Sequence, residues 1–361
     1  MIAPVTLHHR NRDWVATELS GDIRDFHRAL PGYAPTPLVS LPEVARELGV
    51  AHVFAKDESQ RLGLPAFKAL GASWAVHRAV KSLPAGDTVT IVTATDGNHG
   101  RAIARFARLA GQRAAIWVPR GVHPDAIQAI VDEGAHVTVL DAPYDEAVAA
   151  AALTAEQPGH ILIQDTAWEG YEEIPQWIVD GYDTLFAEID EQLAAAGVAR
   201  PNLVAVPTGV GSLLQAALVH YRSAGRGEST AVISVEPEAA SCMAPSLAAG
   251  HPVSVQTGQT IMSGLNCGTP SSLAWPAIVN GLDAALSITE DADIRAAHDL
   301  ARLGVAAGPC GASGLAGVRV ALGGDRPGAD SEAHRKHLGI DEHSTIVFAV
   351  TEGVDANPLP A

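Results

Sequence analysis

Short runs of β-branched and apolar residues alternate with longer, alanine-rich amphipathic stretches over most of the chain. A buried strand of a parallel sheet is a short continuous apolar run, whereas a covering helix needs apolar residues at three- and four-residue intervals. The pattern predicts strands at residues 52–55, 88–93, 114–118, 136–140, 160–163, 203–206, 231–235 and 345–350. It predicts helices at residues 67–83, 99–109, 124–133, 144–156, 174–196, 212–223, 237–249, 291–303 and 313–322.

This alternation is typical of α/β folds, in which helices cover both faces of mostly parallel, twisted sheets. Residues 80–167 contain four predicted strands and the three predicted helices between them, which are enough for a small sheet of their own. We therefore predict a small inserted α/β domain at 80–167 and a large discontinuous domain of residues 1–79 and 168–361. Residues 323–344 are polar and glycine-rich, and they are predicted to form a surface loop before the last strand.

The composition narrows the range of functions. With 47% apolar and 18% charged residues in 361, the chain can bury a large core. The net charge of -17 argues against nucleic acid or anionic membranes as partners, because both bind basic surfaces. The first ten residues do not resemble a signal peptide, and no apolar stretch is long enough to span a membrane. These features predict a soluble cytoplasmic protein that acts on a small molecule.

The cysteines and histidines do not indicate a metal centre. Cys242, Cys267 and Cys310 lack the close spacing of a zinc site, and no His-Glu-x-x-His pair occurs. We interpret the cysteines as small buried or loop-lining residues, because a disulfide is uncommon in a reducing compartment.

Lys68 is one of only four lysines among 24 basic residues, and it lies in the apolar frame Ala-Phe-Lys-Ala-Leu of residues 66–70. An amine can form an imine with a carbonyl compound, which a guanidinium cannot, and apolar surroundings favour the neutral amine. The alternative is an exposed lysine whose stem covers apolar surface. The neighbouring motifs decide between the two interpretations.

Residues 92–100, Val-Thr-Ala-Thr-Asp-Gly-Asn-His-Gly, place a polar glycine turn between a predicted strand and a predicted helix. Such a turn presents backbone N–H groups and the helix dipole to a carboxylate or phosphate. The alternative is an ordinary helix start with Asp96 or Asn98 as the N-cap. A run of five small or polar residues exceeds what one cap needs, so it favours a ligand site.

A second glycine turn, Val-Pro-Thr-Gly-Val-Gly-Ser-Leu at residues 206–213, also follows a predicted strand. Its glycines permit close approach of the backbone to a phosphate, and Ser212 can add a hydroxyl. It lacks the lysine of a Walker loop and the third glycine of a dinucleotide-binding turn. Alone, this turn is therefore weak evidence for a phosphate site. The evidence becomes stronger because several such turns follow predicted strands.

Residues 163–171, Ile-Gln-Asp-Thr-Ala-Trp-Glu-Gly-Tyr, mix acidic and aromatic side chains directly after a predicted strand. One hypothesis is a lid or the wall of a pocket. The other is a crossover loop between domains, in which the acids cap helices.

Together these stretches resemble the fold-type II enzymes of pyridoxal 5'-phosphate (PLP), and within them the diaminopropionate ammonia-lyases. The resemblance spans about residues 50 to 355 and is carried, in order, by residues 56–59, 61–68, 95–101, 164–171, 260–268 and 351–353. It implies PLP as the cofactor, an amino acid as the substrate, an active site between two domains, and a homodimer.

The same resemblance assigns the cofactor contacts. Lys68 would form the Schiff base with PLP, Asn98 would lie against the 3'-oxygen of its ring, and Thr351 would be the neutral partner of the ring nitrogen. The phosphate would be held by backbone amides of the second glycine turn, at Gly209, Val210, Gly211 and Ser212.

The implied reaction is the α,β-elimination of D- or L-2,3-diaminopropionate to pyruvate and two molecules of ammonia. Lys68 would be the base on one face of the substrate and Asp96 the base on the other, and Asp165 would position or protonate the leaving amine. The implied substrate contacts are Thr95, Gly97 and His99, which would hold the carboxylate, and Trp168.

The chain also departs from the family. Ala312 stands where glutamate is common, and residues 354–357 are less acidic than usual. Cys242 and Cys267 fall where this family can carry cysteines near the active-site entrance. Two other functions stay open: a PLP-dependent serine- or threonine-type dehydratase or another β-eliminase, and a catalytically silent homologue.

Overall fold

The computed structural model describes residues 4–17, 19, 22–84, 86–95, 97–225, 229–324 and 329–359. The strands are β1 (Val5–Leu7), β2 (Leu38–Ser40), β3 (His52–Asp57), β4 (Thr90–Ala94), β5 (Arg113–Pro119), β6 (His136–Leu140), β7 (His160–Leu162), β8 (Leu203–Pro207), β9 (Ala231–Pro237), β10 (Ala284–Ile288) and β11 (Thr345–Val350). The helices are α1 (Asp22–Ala29), α2 (Pro42–Leu48), α3 (Lys68–Lys81), α4 (Asn98–Leu109), α5 (Pro124–Asp132), α6 (Tyr144–Ala155), α7 (Glu173–Ala195), α8 (Ser212–Arg222), α9 (Met243–Ala249), α10 (Trp275–Gly281), α11 (Glu290–Arg302), α12 (Pro309–Leu322) and α13 (Ala329–Leu338).

The chain forms two compact units, and the first comprises Met1–Ser20, Ala34–Gln60 and Leu185–Ala361. Its sheet has seven strands in the order β1-β10-β9-β8-β11-β3-β2. The five central strands run parallel, and the two edge strands pair antiparallel. Strands β8, β9, β10 and β11 are buried along their whole length, as continuous apolar runs require when helices cover both faces.

The second unit comprises Gly21–Tyr33 and Arg61–Thr184. Its four strands are all parallel, in the order β6-β5-β4-β7. This sheet lies inside residues 80–167, but the compact unit extends further on both sides. The predicted division at 80 and 167 stays a prediction.

Helices α3 and α7 cross within the second unit at two glycines. A Cβ atom on Gly181 would lie 2.8 Å from the Cα of Gly71 and 2.7 Å from the carbonyl oxygen of Leu70. Only glycine allows the backbones to approach so closely. Because Lys68 is the first residue of α3, this crossing fixes the turn of helix that carries it.

The predicted α/β class with mostly parallel sheets is confirmed, and all the predicted strands form within two residues of the expected bounds. The predicted surface loop at 323–344 is wrong, because α13 occupies ten of its residues. This helix is too polar to show an apolar stripe. Its last residue, Leu338, is buried in the core, and polar contacts add to this, as when Arg335 donates from Nε to the carbonyl oxygen of Leu322 at 3.1 Å. Among the described helices, none is both long and apolar enough to cross a bilayer.

A buried ion pair ties β3 to α7 inside the first unit. The ammonium of Lys56 is fully buried and donates to Glu188 Oε2 at 2.6 Å, to the carbonyl oxygen of Thr36 at 2.8 Å and to Gln192 Oε1 at 2.9 Å. With three acceptors around it, the ammonium recovers the hydrogen bonds that it loses on leaving water.

We expect Lys56→Met to lower the free energy of unfolding by about 3–5 kcal/mol, because Glu188 then stays buried without its cation. The measurement is guanidinium unfolding of the purified protein. Lys81→Met is the matched control, since Lys81 is exposed and its loss should cost within about 0.5 kcal/mol. Equal midpoints for the two variants would show that the pair contributes nothing.

Candidate active site

Lys68 begins α3, and its amine is both paired and accessible. Its Nζ donates to Asp165 Oδ2 at 2.6 Å, and a quarter of the side chain is exposed to solvent. The ring of Phe67 lies beneath it, with the Nζ 5.4 Å from the ring centroid. The Lys68 amine thus lies between the ring of its sequence neighbour Phe67 and the carboxylate of Asp165.

Asp165 follows β7 and accepts a hydrogen bond from this amine. Burial alone raises the pKa of Asp165, but the positive charge of Lys68 and the hydrogen bond from its amine lower the pKa. The net pKa lies well below its usual range. Asp165 is therefore a carboxylate at neutral pH.

Gln164 and Tyr171, to which the sequence pattern assigned no role, fix the backbone beside Asp165. Gln164 accepts hydrogen bonds at Oε1 from the hydroxyl of Thr93 at 2.8 Å and from the amide of Ala94 at 2.9 Å. The hydroxyl of Tyr171 accepts from the amide of Gln164 at 2.8 Å and donates to the carbonyl oxygen of Leu162 at 3.1 Å. Their position on either side of Asp165 in an unusually polar stretch was the available signal.

Trp168 is half-buried and packs against the same tyrosine. The ring centroids of Trp168 and Tyr171 are 4.4 Å apart and the rings are stacked at 22°. The two backbones also pair as an antiparallel bridge. The segment is thus a tight hairpin fixed to the end of β7, which suits the wall of a pocket.

The first glycine turn connects β4 to α4 and is held by a threonine. The hydroxyl oxygen of Thr95 accepts from the amides of Gly97 and Gly100, both at 3.0 Å. Asn98 is half-buried at the first position of α4. Asp96, the predicted second base, lies outside the described residues.

His99 is the second residue of α4 and is 3% exposed. Its Nε2 lies 3.0 Å from the carbonyl oxygen of Ile163, and its Nδ1 lies 3.9 Å from Asp165 Oδ2. Burial lowers the pKa of His99, so the ring is neutral. The structure therefore brings Lys68, His99 and Asp165 together, whereas their roles stay predictions.

The second glycine turn, in the other unit, connects β8 to α8. Gly211 has a φ of +103°, which residues with a side chain rarely adopt. A Cβ atom on Gly209 would lie 3.1 Å from the Sγ of Cys267 and 3.1 Å from the carbonyl oxygen of Gly264. A side chain at residue 209 would therefore require its neighbours to shift by a few tenths of an ångström. The turn lies at the N-terminus of a helix, where an anion is favoured.

Thr351 follows β11 and is 3% exposed. Its Oγ1 has no hydrogen-bond partner among the described residues. A buried hydroxyl in this state costs about 1–3 kcal/mol unless a ligand supplies the partner. A ring nitrogen of a bound cofactor is one such partner.

The cysteines form no disulfide with one another. Cys242 is buried, and its thiol donates to Glu236 Oε1 at 3.3 Å. Burial raises the pKa of Cys242, so the thiol stays protonated. Cys267 is half-buried beside Gly209, which makes it a loop-lining residue.

Comparison with known proteins gives a consistent result. Residues 29–331 match the family described as "Pyridoxal-phosphate dependent enzyme". The diaminopropionate ammonia-lyase of Escherichia coli (strain K12) is 39% identical over 273 residues, which are 71% of this chain and 68% of that protein. A biosynthetic L-threonine dehydratase of Corynebacterium glutamicum is 29% identical over 292 residues, 79% of this chain and 64% of that protein.

Solved structures agree. The diaminopropionate ammonia-lyase from Escherichia coli, in complex with an aminoacrylate-PLP azomethine reaction intermediate, superposes with a TM-score of 0.87 at 31% identity. The match covers 97% of this chain and 94% of that one. Maize serine racemase superposes with a TM-score of 0.75 at 24% identity over 92% of each chain, which shows a shared fold.

Proposed function

Because the chain belongs to the pyridoxal-phosphate-dependent enzymes, and within them to the diaminopropionate ammonia-lyases, we propose that it cleaves 2,3-diaminopropionate. With one water, the substrate yields pyruvate and two molecules of ammonia. The observation that carries this proposal is the 2.6 Å bond between an accessible lysine amine and the carboxylate of Asp165. It joins the group that attacks a cofactor carbonyl to a group that can bind an ammonium.

The residues fit PLP. The glycine turn before α8 has a left-handed glycine at Gly211 and begins a helix, and the buried hydroxyl of Thr351 lacks a partner among the described residues. When bound, PLP supplies a ring that accepts the electron pair left on the α-carbon. We assign Lys68 as its point of attachment, Asn98 as the neighbour of its 3'-oxygen and Thr351 as the partner of its ring nitrogen. The phosphate is assigned to the backbone amides of Gly209, Val210, Gly211 and Ser212.

The protein's own groups then move protons. Lys68, with its amine free, would take the α-proton on one face, and Asp96 is assigned as the base on the other. Two bases on opposite faces suit both enantiomers. Asp165 holds the β-amino group as an ammonium, because an amine leaves readily only when it is protonated.

The remaining contacts complete the proposal. Thr95, Gly97 and the backbone of His99 are assigned to the substrate carboxylate, since this turn begins a helix. Trp168 is assigned to the pocket wall. The family resemblance further suggests a cytoplasmic homodimer.

The test is turnover of D- and L-2,3-diaminopropionate beside D- and L-serine and L-threonine, with pyruvate (or 2-oxobutyrate from threonine) and ammonia both measured. We expect diaminopropionate to give two ammonia per pyruvate and the highest kcat/KM. Faster turnover of serine or threonine would replace the proposal with a dehydratase. No turnover of any of them would favour a silent homologue.

A further inference from the structure

The two ring nitrogens of His99 have different roles. A carbonyl oxygen can only accept, so the Nε2 that lies 3.0 Å from the oxygen of Ile163 must carry the hydrogen. In the neutral ring, Nδ1 is then a bare acceptor. It is buried and has no hydrogen-bond partner among the described residues. A buried acceptor in this state favours a ligand that donates to it.

A second acceptor faces Nδ1. Asp165 Oδ2 lies 3.9 Å away, which is too long for a hydrogen bond between the two atoms, and neither atom carries a proton at neutral pH. A single ammonium at ordinary hydrogen-bond distance from both atoms can donate to each. The Lys68 ammonium, 2.6 Å from the same oxygen, shows that a cationic nitrogen is accepted on this side of Asp165.

We infer that His99 Nδ1 and Asp165 Oδ2 form a two-acceptor site for the β-ammonium of the substrate, which makes His99 a specificity-determining residue. This deepens the proposed function and rests on it. An ammonium has several N–H groups and satisfies both acceptors. A hydroxyl has one hydrogen and leaves one buried acceptor unsatisfied, so serine is disfavoured. The fixed ring tautomer thus selects an amine as the leaving group.

The test compares two replacements of His99. In His99→Gln the longer amide keeps a donor near the position of Nε2 but removes the acceptor at Nδ1. In His99→Asn the shorter amide places an acceptor near Nδ1 and gives up the bond to Ile163. We expect His99→Gln to lower the ratio of kcat/KM for diaminopropionate to kcat/KM for serine by roughly 10- to 100-fold. In His99→Asn the ratio of the two kcat/KM values should stay close to that of the wild type.

His136→Gln is the matched control, since His136 is an exposed histidine of the same unit and should leave the ratio unchanged. A second readout is independent of turnover: ¹⁵N NMR should show Nδ1 of His99 unprotonated and Nε2 protonated. Equal losses on both substrates in His99→Gln, or the opposite tautomer, would overturn the inference. Failure of the proposed function is distinguishable, because the wild-type enzyme itself would then prefer serine or turn over neither.

Discussion

Lys68→Arg is expected to lose turnover by on the order of 10⁴-fold or more, as Lys68→Ala should. The guanidinium keeps a positive charge beside Asp165 but cannot bond covalently to the cofactor carbonyl. Turnover should therefore be lost whenever the amine is removed, even if the positive charge is kept. The measurement is kcat by pyruvate release, together with the visible absorbance of attached PLP, which both variants should lack.

Lys81→Arg provides the control, because Lys81 ends the same helix and is exposed. It should retain wild-type turnover and absorbance. Retention of a tenth of the activity in Lys68→Arg would mean that the charge, and not the amine, is what the reaction needs.

Asp165→Asn should lower kcat for diaminopropionate by roughly 10²- to 10⁴-fold, a typical loss for a group that controls a proton. The neutral amide no longer favours an ammonium over an amine, so the leaving group is less often protonated. Because the pKa of Asp165 lies well below its usual range, the wild-type carboxylate stays ionised in any ordinary assay. In the variant, lower pH protonates more of the leaving amine from solvent, so the defect should shrink as the pH falls from about 9 to about 6.

Glu169→Gln removes an exposed acid of the same loop and is the matched control. It should change kcat little. A defect in Asp165→Asn that grows as the pH falls, or that is equally large for serine, would contradict an ammonium-binding carboxylate.

The strands were predictable because most of them are continuous apolar runs of the kind that buried parallel sheets require. Strand β10 was not predicted from the sequence because it starts with two alanines, which favour helices. Only its packing in the sheet makes it a strand. Helix α13 was not predicted because most of its residues are polar and Leu338, at its end, is its one leucine in the core, which leaves no periodic apolar signal.

The sequence motifs indicate candidate residues for the site but not their geometry. Lys68 and Asp165 each stood out locally, yet their bond joins positions 97 residues apart and depends on the end of β7 facing the start of α3. The tautomer of His99 follows from one carbonyl oxygen, which no sequence pattern reveals. Asp96 stays a prediction, since it lies outside the described residues.

The most direct test of the account locates the covalent bond to PLP. Borohydride reduction of the PLP-loaded protein, followed by digestion and mass mapping, makes the attachment permanent and identifies the residue. We predict a single phosphopyridoxyl group on the peptide that contains Lys68. A label on Lys56, Lys81 or Lys336 instead, or no label on a protein that still turns over diaminopropionate, would contradict the account.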